Sequence, residues 1–127
     1  MELYKITDAL SGVYYIATTD GEQPHVRPFD GAVEFGGSIY IGTNRGKDVY
    51  KQILKNPKVE IFGMENGVIR FTAEAYPVED EAENQEIYEA LGKDYSDGCA
   101  ALQLKKMRGT FQDSMGEKTK FIINAAD

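Results

Sequence analysis

Residues 39–61 read Ile39-Tyr40-Ile41-Gly42-Thr43-Asn44-Arg45-Gly46-Lys47-Asp48-Val49-Tyr50-Lys51-Gln52-Ile53-Leu54-Lys55-Asn56-Pro57-Lys58-Val59-Glu60-Ile61, and the hydrophobic period changes twice within them. Ile39 and Ile41 share one face of a strand over Ser38 to Thr43. Val49, Tyr50, Ile53 and Leu54 then recur at i, i+1, i+4, i+5 while Lys47, Asp48, Lys51 and Lys55 lie off that stripe, which predicts an amphipathic helix. Asn56-Pro57 stops it, because a residue before proline is pushed out of the helical region. From Val59 to Met64 the chain returns to strand.

Upstream, Leu3, Ile6 and Leu10 recur at helical spacing before Ser11-Gly12, predicting a short N-terminal helix. Val13 to Thr19 is a β-branched and aromatic strand ending at the Asp20-Gly21 hairpin signal. Pro24 to Phe35 is extended and interrupted by Pro28 and Gly31; proline donates nothing to a ladder, so this strand is an edge or is bulged there. Gly36-Gly37 turns it into the Ser38 strand, so these three strands are expected as an antiparallel meander. Downstream, Asn66-Gly67 is a hairpin turn, after which Ile69, Phe71, Ala73 and Ala75 alternate with Arg70, Thr72, Glu74 and Tyr76. An acidic helix over 80–91 is expected to bury Ile87 and Leu91, and 101–111 with 119–124 form a last hairpin around Ser114-Met115-Gly116. Alternation in that hairpin puts Lys106 and Arg108 on one face and Lys105 on the other, a solvated basic face. With no repeat and no linker, residues 1–127 read as a single domain, mainly β (α+β), of about six to seven antiparallel strands and three short helices. A small barrel suits that inventory, because closure removes sheet edges.

Composition narrows the function. The 127 residues are 42% hydrophobic and 28% charged, which excludes disordered and collagen-like classes. No apolar run reaches the roughly 20 residues of a membrane span, and Met1-Glu2-Leu3-Tyr4-Lys5 lacks a signal-peptide layout, so a cytoplasmic protein without a membrane partner is expected. The lone Cys99 and lone His25 leave no internal disulfide and no structural zinc cage. A net charge of −7 repels nucleic acid. The charge is uneven, however: residues 25–58 carry six basic against three acidic side chains, whereas Glu79 to Asp97 hold eight acids and only Lys93 in return. A local anion site is compatible with that distribution.

Thr43 to Asp48 lie where a strand ends and a helix begins. Asp48 suits the positive end of the helix dipole, but Arg45 and Lys47 oppose it. One reading is a phosphate held by the helix start, the Thr43 hydroxyl, Lys47 and Arg45; the other is an Asn44 or Thr43 cap with cations reaching into water. It is not a Walker loop, since the glycine spacing and the Lys-Ser/Thr pair are missing. Arg27 is a second oddity, an arginine between Val26 and Pro28 in an extended strand, either converging on the same anion or facing water from an edge.

Gln23-Pro24-His25-Val26-Arg27-Pro28-Phe29, Ile39 to Asn44, Lys47 to Ile53 and Asn56-Pro57-Lys58-Val59-Glu60-Ile61, taken together, resemble the pyridoxamine 5′-phosphate oxidase-like family of FMN-binding split β-barrels, with continuous correspondence over 13–76. The resemblance implies a split antiparallel barrel, a homodimer and two FMN molecules at the subunit interface. It assigns the 5′-phosphate to Arg27, Thr43 and Lys47, runs Pro28, Phe29 and Asp30 along the isoalloxazine, and places Asn44 and Arg70 near it. Gln52 receives no role. The basic, aromatic C-terminal segment of true pyridoxamine 5′-phosphate oxidases has no counterpart in Phe121 to Asp127, so vitamin B6 oxidation is not expected.

The family requires no universal protein acid or base, and no catalytic residue is named; the flavin carries the chemistry. The expected activity is an FMN-dependent oxidoreductase acting on a small molecule or electron acceptor. The alternative is a binding or sensing module holding flavin or haem without turnover. Other candidates are weaker: no serine sits in a glycine-flanked elbow, and Cys99 reads as a packing residue whose thiol Asp94 and Asp97 would push up if close.

Overall fold

The computed structural model describes residues 1–124; Ala125, Ala126 and Asp127, the end of the expected 1–127 unit, lie outside the described residues. In chain order the elements are α1 (Leu3–Ala9), β1 (Val13–Thr19), β2 (Pro24–Asp30), β3 (Val33–Phe35), β4 (Ser38–Asn44), α2 (Asp48–Lys55), β5 (Lys58–Gly63), β6 (Val68–Pro77), α3 (Glu81–Ala90), β7 (Cys99–Gln112) and β8 (Lys118–Ile123). Among the described residues the strands number eight rather than six or seven, because the extended run 24–35 breaks at Gly31-Ala32 into β2 and β3.

That break shapes the molecule. Hydrogen-bonded neighbours run β2-β1-β5-β6-β7-β4-β3, with β8 also pairing β7, and the ladders are antiparallel. The expected three-strand meander is therefore corrected: β2 pairs β1, β3 pairs β4, and these lie at opposite ends of the path. Yet only two residues separate β2 from β3, and a residue spans at most about 3.6 Å, so the ends must meet and the sheet must roll into a split barrel. Gly31 makes the corner with φ +79°, and its carbonyl accepts the buried Tyr14 hydroxyl at 2.8 Å. Pro28 is tolerated because β2 is an edge that pairs only β1.

Ile16, Ile39, Ile41, Ile61, Ile69 and Phe71 fill the interior, each at most 1% exposed. Ile6 of α1, Leu10 just after it, and Val49 and Ile53 of α2 join the same core. Leu54 is 58% exposed, so the buried stripe of α2 is narrower than its sequence suggests; one residue beyond Ile53 turns about 100° away from the core. The acidic helix α3 covers the other face of β4, where Ile87 packs with Tyr40 and Ala101 while Leu91 is only half-buried. Asn84, fully buried, fixes α3 to β7 by accepting from the Ala101 amide at 2.7 Å and donating to the Cys99 carbonyl at 3.0 Å.

A β-bulge corrects the reading of the late basic residues. Thr72 opposes Arg108 but Glu74 opposes Lys105, so Ala73 faces two residues of β7, and Lys106 takes φ +54°. Leu104 and Met107 are both buried, and Arg108 shares the phase of Lys105 rather than that of Lys106. Among the described residues no helix is long and apolar enough to cross a membrane.

Candidate functional site

The β4–α2 junction is built by a tight turn. Asn44 accepts the Gly46 amide on Oδ1 at 2.9 Å, and its carbonyl accepts the Lys47 amide at 3.0 Å. Asn44 therefore caps the turn and not the helix: the cap position is Lys47, in extended conformation, with no side-chain hydrogen bond to the first turn. The leading N–H groups of α2 are left for solvent or a ligand. Asp48 favours this end electrostatically, whereas the exposed Lys47 side chain has no hydrogen-bond or ion-pair partner among the described residues. Arg45 is turned toward α3, where Nη2 donates to Glu81 at 3.0 Å and Tyr95 donates to the same carboxylate. That bond, opposed by burial, raises the Arg45 pKa and keeps it from serving as a free anion ligand.

Thr43 ends the buried run of β4. It is 6% exposed, and its Oγ1 is the one buried side-chain oxygen or nitrogen without a hydrogen-bond partner among the described residues. Leaving such a hydroxyl unpaired costs about 1–3 kcal/mol, so the position calls for a missing acceptor or donor.

Arg27 lies on the inner phase of β2, opposite Ile16. Its Nη1 donates to Thr18 Oγ1 at 2.8 Å and to the carbonyls of His25 and Ile16 at 3.2 and 3.3 Å, and Nη2 donates to Gln52 Oε1 of α2 at 3.2 Å. Partial burial lowers its pKa while nearby Asp48 raises it; an arginine remains charged under both influences. Arg27 is thus brought to α2.

The other expected residues spread along β2 and across the outer sheet. Pro28 points outward, and Phe29 points inward against Tyr14 with ring centroids 6.2 Å apart. Asp30 pairs with Lys93 Nζ at 2.9 Å, which holds its carboxyl below the ordinary value. Arg70 is exposed on the outer face, paired with Glu60 at 3.3 Å and stacked 4.8 Å over the Phe62 ring. Two clefts, of about 470 and 400 Å³, lie on that outer face and not at the helix start. They share Ala17 and Glu60; the first touches Thr18, the acceptor of Arg27, and the second is lined by Val26 and Arg70.

The reading of Cys99 is corrected in part. It is buried, but its thiol is held below the ordinary value: burial pushes it up, and hydrogen bonds from Ser96 and Tyr88 outweigh that. Ser96 Oγ lies 3.5 Å from the sulfur, and Asp94 meets the thiol with its backbone carbonyl, 3.9 Å away. The residues sequence reasoning missed are Thr18, Gln52 and Lys93. Asp48 and Gln52 at i, i+4 mark one polar side of α2, the only sequence signal that selects Gln52.

An uncapped helix start, an unpaired buried hydroxyl and a free lysine at the junction, with an arginine held against the same helix by Gln52, are hydrogen-bond donors of the kind that suits a phosphate group. A split barrel with such a junction defines a class of cofactor-binding barrels. The chain belongs to the pyridoxamine 5′-phosphate oxidase-like family: the pyridoxamine 5′-phosphate oxidase family model matches residues 9–119. A NimC/NimA family protein from Clostridium acetobutylicum is 36% identical, with 94% of this chain and 93% of that chain covered at a TM-score of 0.75. General Stress Protein 26 from Bacillus anthracis is 16% identical (93% and 97% covered, TM-score 0.64) and shares the fold. So does PhzG from Burkholderia lata, in complex with tetrahydrophenazine-1-carboxylic acid, at 11% identity (93% and 86% covered, TM-score 0.62). No curated protein matches the chain significantly. Members of the family commonly bind flavin.

Proposed function

We propose that this chain is an FMN-dependent oxidoreductase acting on a small molecule, assembled as a homodimer with FMN at the subunit interface. The observation that carries the reading is the buried, unpaired Thr43 hydroxyl at the strand end that feeds an uncapped helix. Arg27, Thr43 and Lys47 would hold the 5′-phosphate. The free edge of β2 at Pro28, Phe29 and Asp30, with Asn44 and Arg70, would line the ring; Phe29 would contribute backbone, since its side chain packs on Tyr14. Bound FMN would supply hydride or single-electron transfer, and the residues named here bind and orient it rather than move protons. The wall of a second subunit would exclude water from the clefts beside Ala17 and Glu60.

The test is titration of the purified chain with FMN and riboflavin. FMN is expected to bind more tightly, because only its phosphate can use the junction; equal affinities would sink the assignment. Reduction of the holoprotein by a nicotinamide donor, then reoxidation by candidate acceptors, separates an oxidoreductase from a non-catalytic flavin or haem module.

A further inference from the structure

Three side chains from separate parts of the chain close a ring of hydrogen bonds. Arg27 Nη1 donates to Thr18 Oγ1 at 2.8 Å, Thr18 Oγ1 donates to Gln52 Oε1, and Arg27 Nη2 donates to that same Oε1 at 3.2 Å. The polarity is fixed by chemistry: arginine has no acceptor, so Gln52 must present its oxygen and Thr18 must point its proton at Gln52. Thr18 is 4% exposed, and the carbonyls of Ile16 and His25 crowd the same Nη1.

This ring consumes one edge of the guanidinium. Nη1 is fully engaged and Nη2 has spent the proton that lies on the Nη1 side. The opposite edge, Nε–H beside the second Nη2–H, makes no hydrogen bond among the described residues. Those two donors are parallel, the arrangement that grips two oxygens of a phosphate at once. A flexible arginine would lose rotamer entropy on adopting it; one locked by Thr18 and Gln52 has already done so.

We propose that Gln52, with Thr18, is a positioning residue that pre-sets Arg27 for bidentate recognition of the cofactor phosphate. This rests on the reading of Arg27 as a phosphate ligand. The opposing possibility is that Gln52 only ties α2 to the barrel, in which case its loss would affect every ligand alike.

Gln52→Met keeps length and helix propensity while removing the acceptor. Titrated against the wild-type chain, it should weaken FMN binding about tenfold and leave riboflavin binding unchanged. In an Arg27→Ala background the same substitution should produce no further loss of FMN. Thr18→Val should behave like Gln52→Met, and Thr18→Ser should bind FMN as the wild type does, so the proposal is testable even if one variant folds poorly. Equal losses for FMN and riboflavin, or a full loss that persists without Arg27, would overturn it. If Arg27→Ala loses FMN while Gln52→Met does not, only the positioning role falls. If Arg27→Ala binds FMN normally, the phosphate reading falls and the positioning role with it.

Discussion

Thr43 makes opposite predictions for the free and loaded protein. Its hydroxyl is buried without a partner, so Thr43→Val, which keeps the shape, should raise the stability of the apoprotein by about 1 kcal/mol in urea unfolding. The same change should weaken FMN binding by roughly 0.5–1.5 kcal/mol, the net worth of a hydrogen bond. A loss of apoprotein stability would show that the hydroxyl already has a partner. Lys47→Ala should lose a charge-assisted contact of roughly 1.5–3 kcal/mol with FMN, about tenfold to a hundredfold by titration, and riboflavin should not notice. At this scale the sequence reveals only what is locally odd. Arg27 beside Pro28 and Lys47 at a helix start stand out because each violates a local preference. Thr18 and Gln52 violate none: their meeting spans 34 residues and exists only once β1 and α2 pack together.

The corner between β2 and β3 is where the elements decide the fold. Gly31 adopts φ +79° with open space where a Cβ would sit, so Gly31→Ala pays only the left-handed backbone cost, about 1–2 kcal/mol in chemical denaturation. Tyr14 pins the same corner. Its burial, and secondarily Asp30, push the phenol pKa well up, so the native state keeps a proton that the unfolded chain releases near pH 10. The contribution is complete below that pH and is lost as pH rises through the alkaline range toward the native value. Tyr14→Phe should remove this part of the alkaline fall in stability and cost about 0.5–1.5 kcal/mol at neutral pH, both measurable by urea unfolding at several pH values. The strands and helices themselves are legible in the period of Ile39 to Ile61 and of Ile69 to Ala75, since burial enforces that period. The interruption at Gly31 is legible too, but not its consequence, that β2 and β3 pair at opposite ends of the path; and Lys105-Lys106 between Leu104 and Met107 breaks the alternation without telling which residue bulges until the pairing partners are known.

The outer sheet leaves the whole molecule unfinished. Register places Tyr15 opposite both Pro28 and Phe62, and Ala17 opposite Val26 and Glu60, so these side chains share one face. On it Val26 is 69% exposed, Tyr15 43% and Val13 40%, beside the cleft of about 400 Å³ that Arg70 lines. A contiguous apolar face of this kind marks an interaction surface, and the interior cannot receive a flavin because Ile39, Ile41, Ile61, Ile69 and Phe71 fill it. On the proposed function the ring would therefore lie outside the barrel, and a two-fold contact between copies of this face would bury both it and the exposed valines. Light scattering of the holoprotein should give about twice the 14.1 kDa chain mass, with one FMN per chain. Val26→Lys should dissociate the pair and weaken FMN, since it puts an uncompensated charge into the contact. Met115→Lys, at a hairpin tip 89% exposed, should change neither mass nor binding. A wild-type monomer that keeps tightly bound FMN would place the flavin on a single chain, and a Val26→Lys variant that stays dimeric would move the contact surface away from β1 and β2.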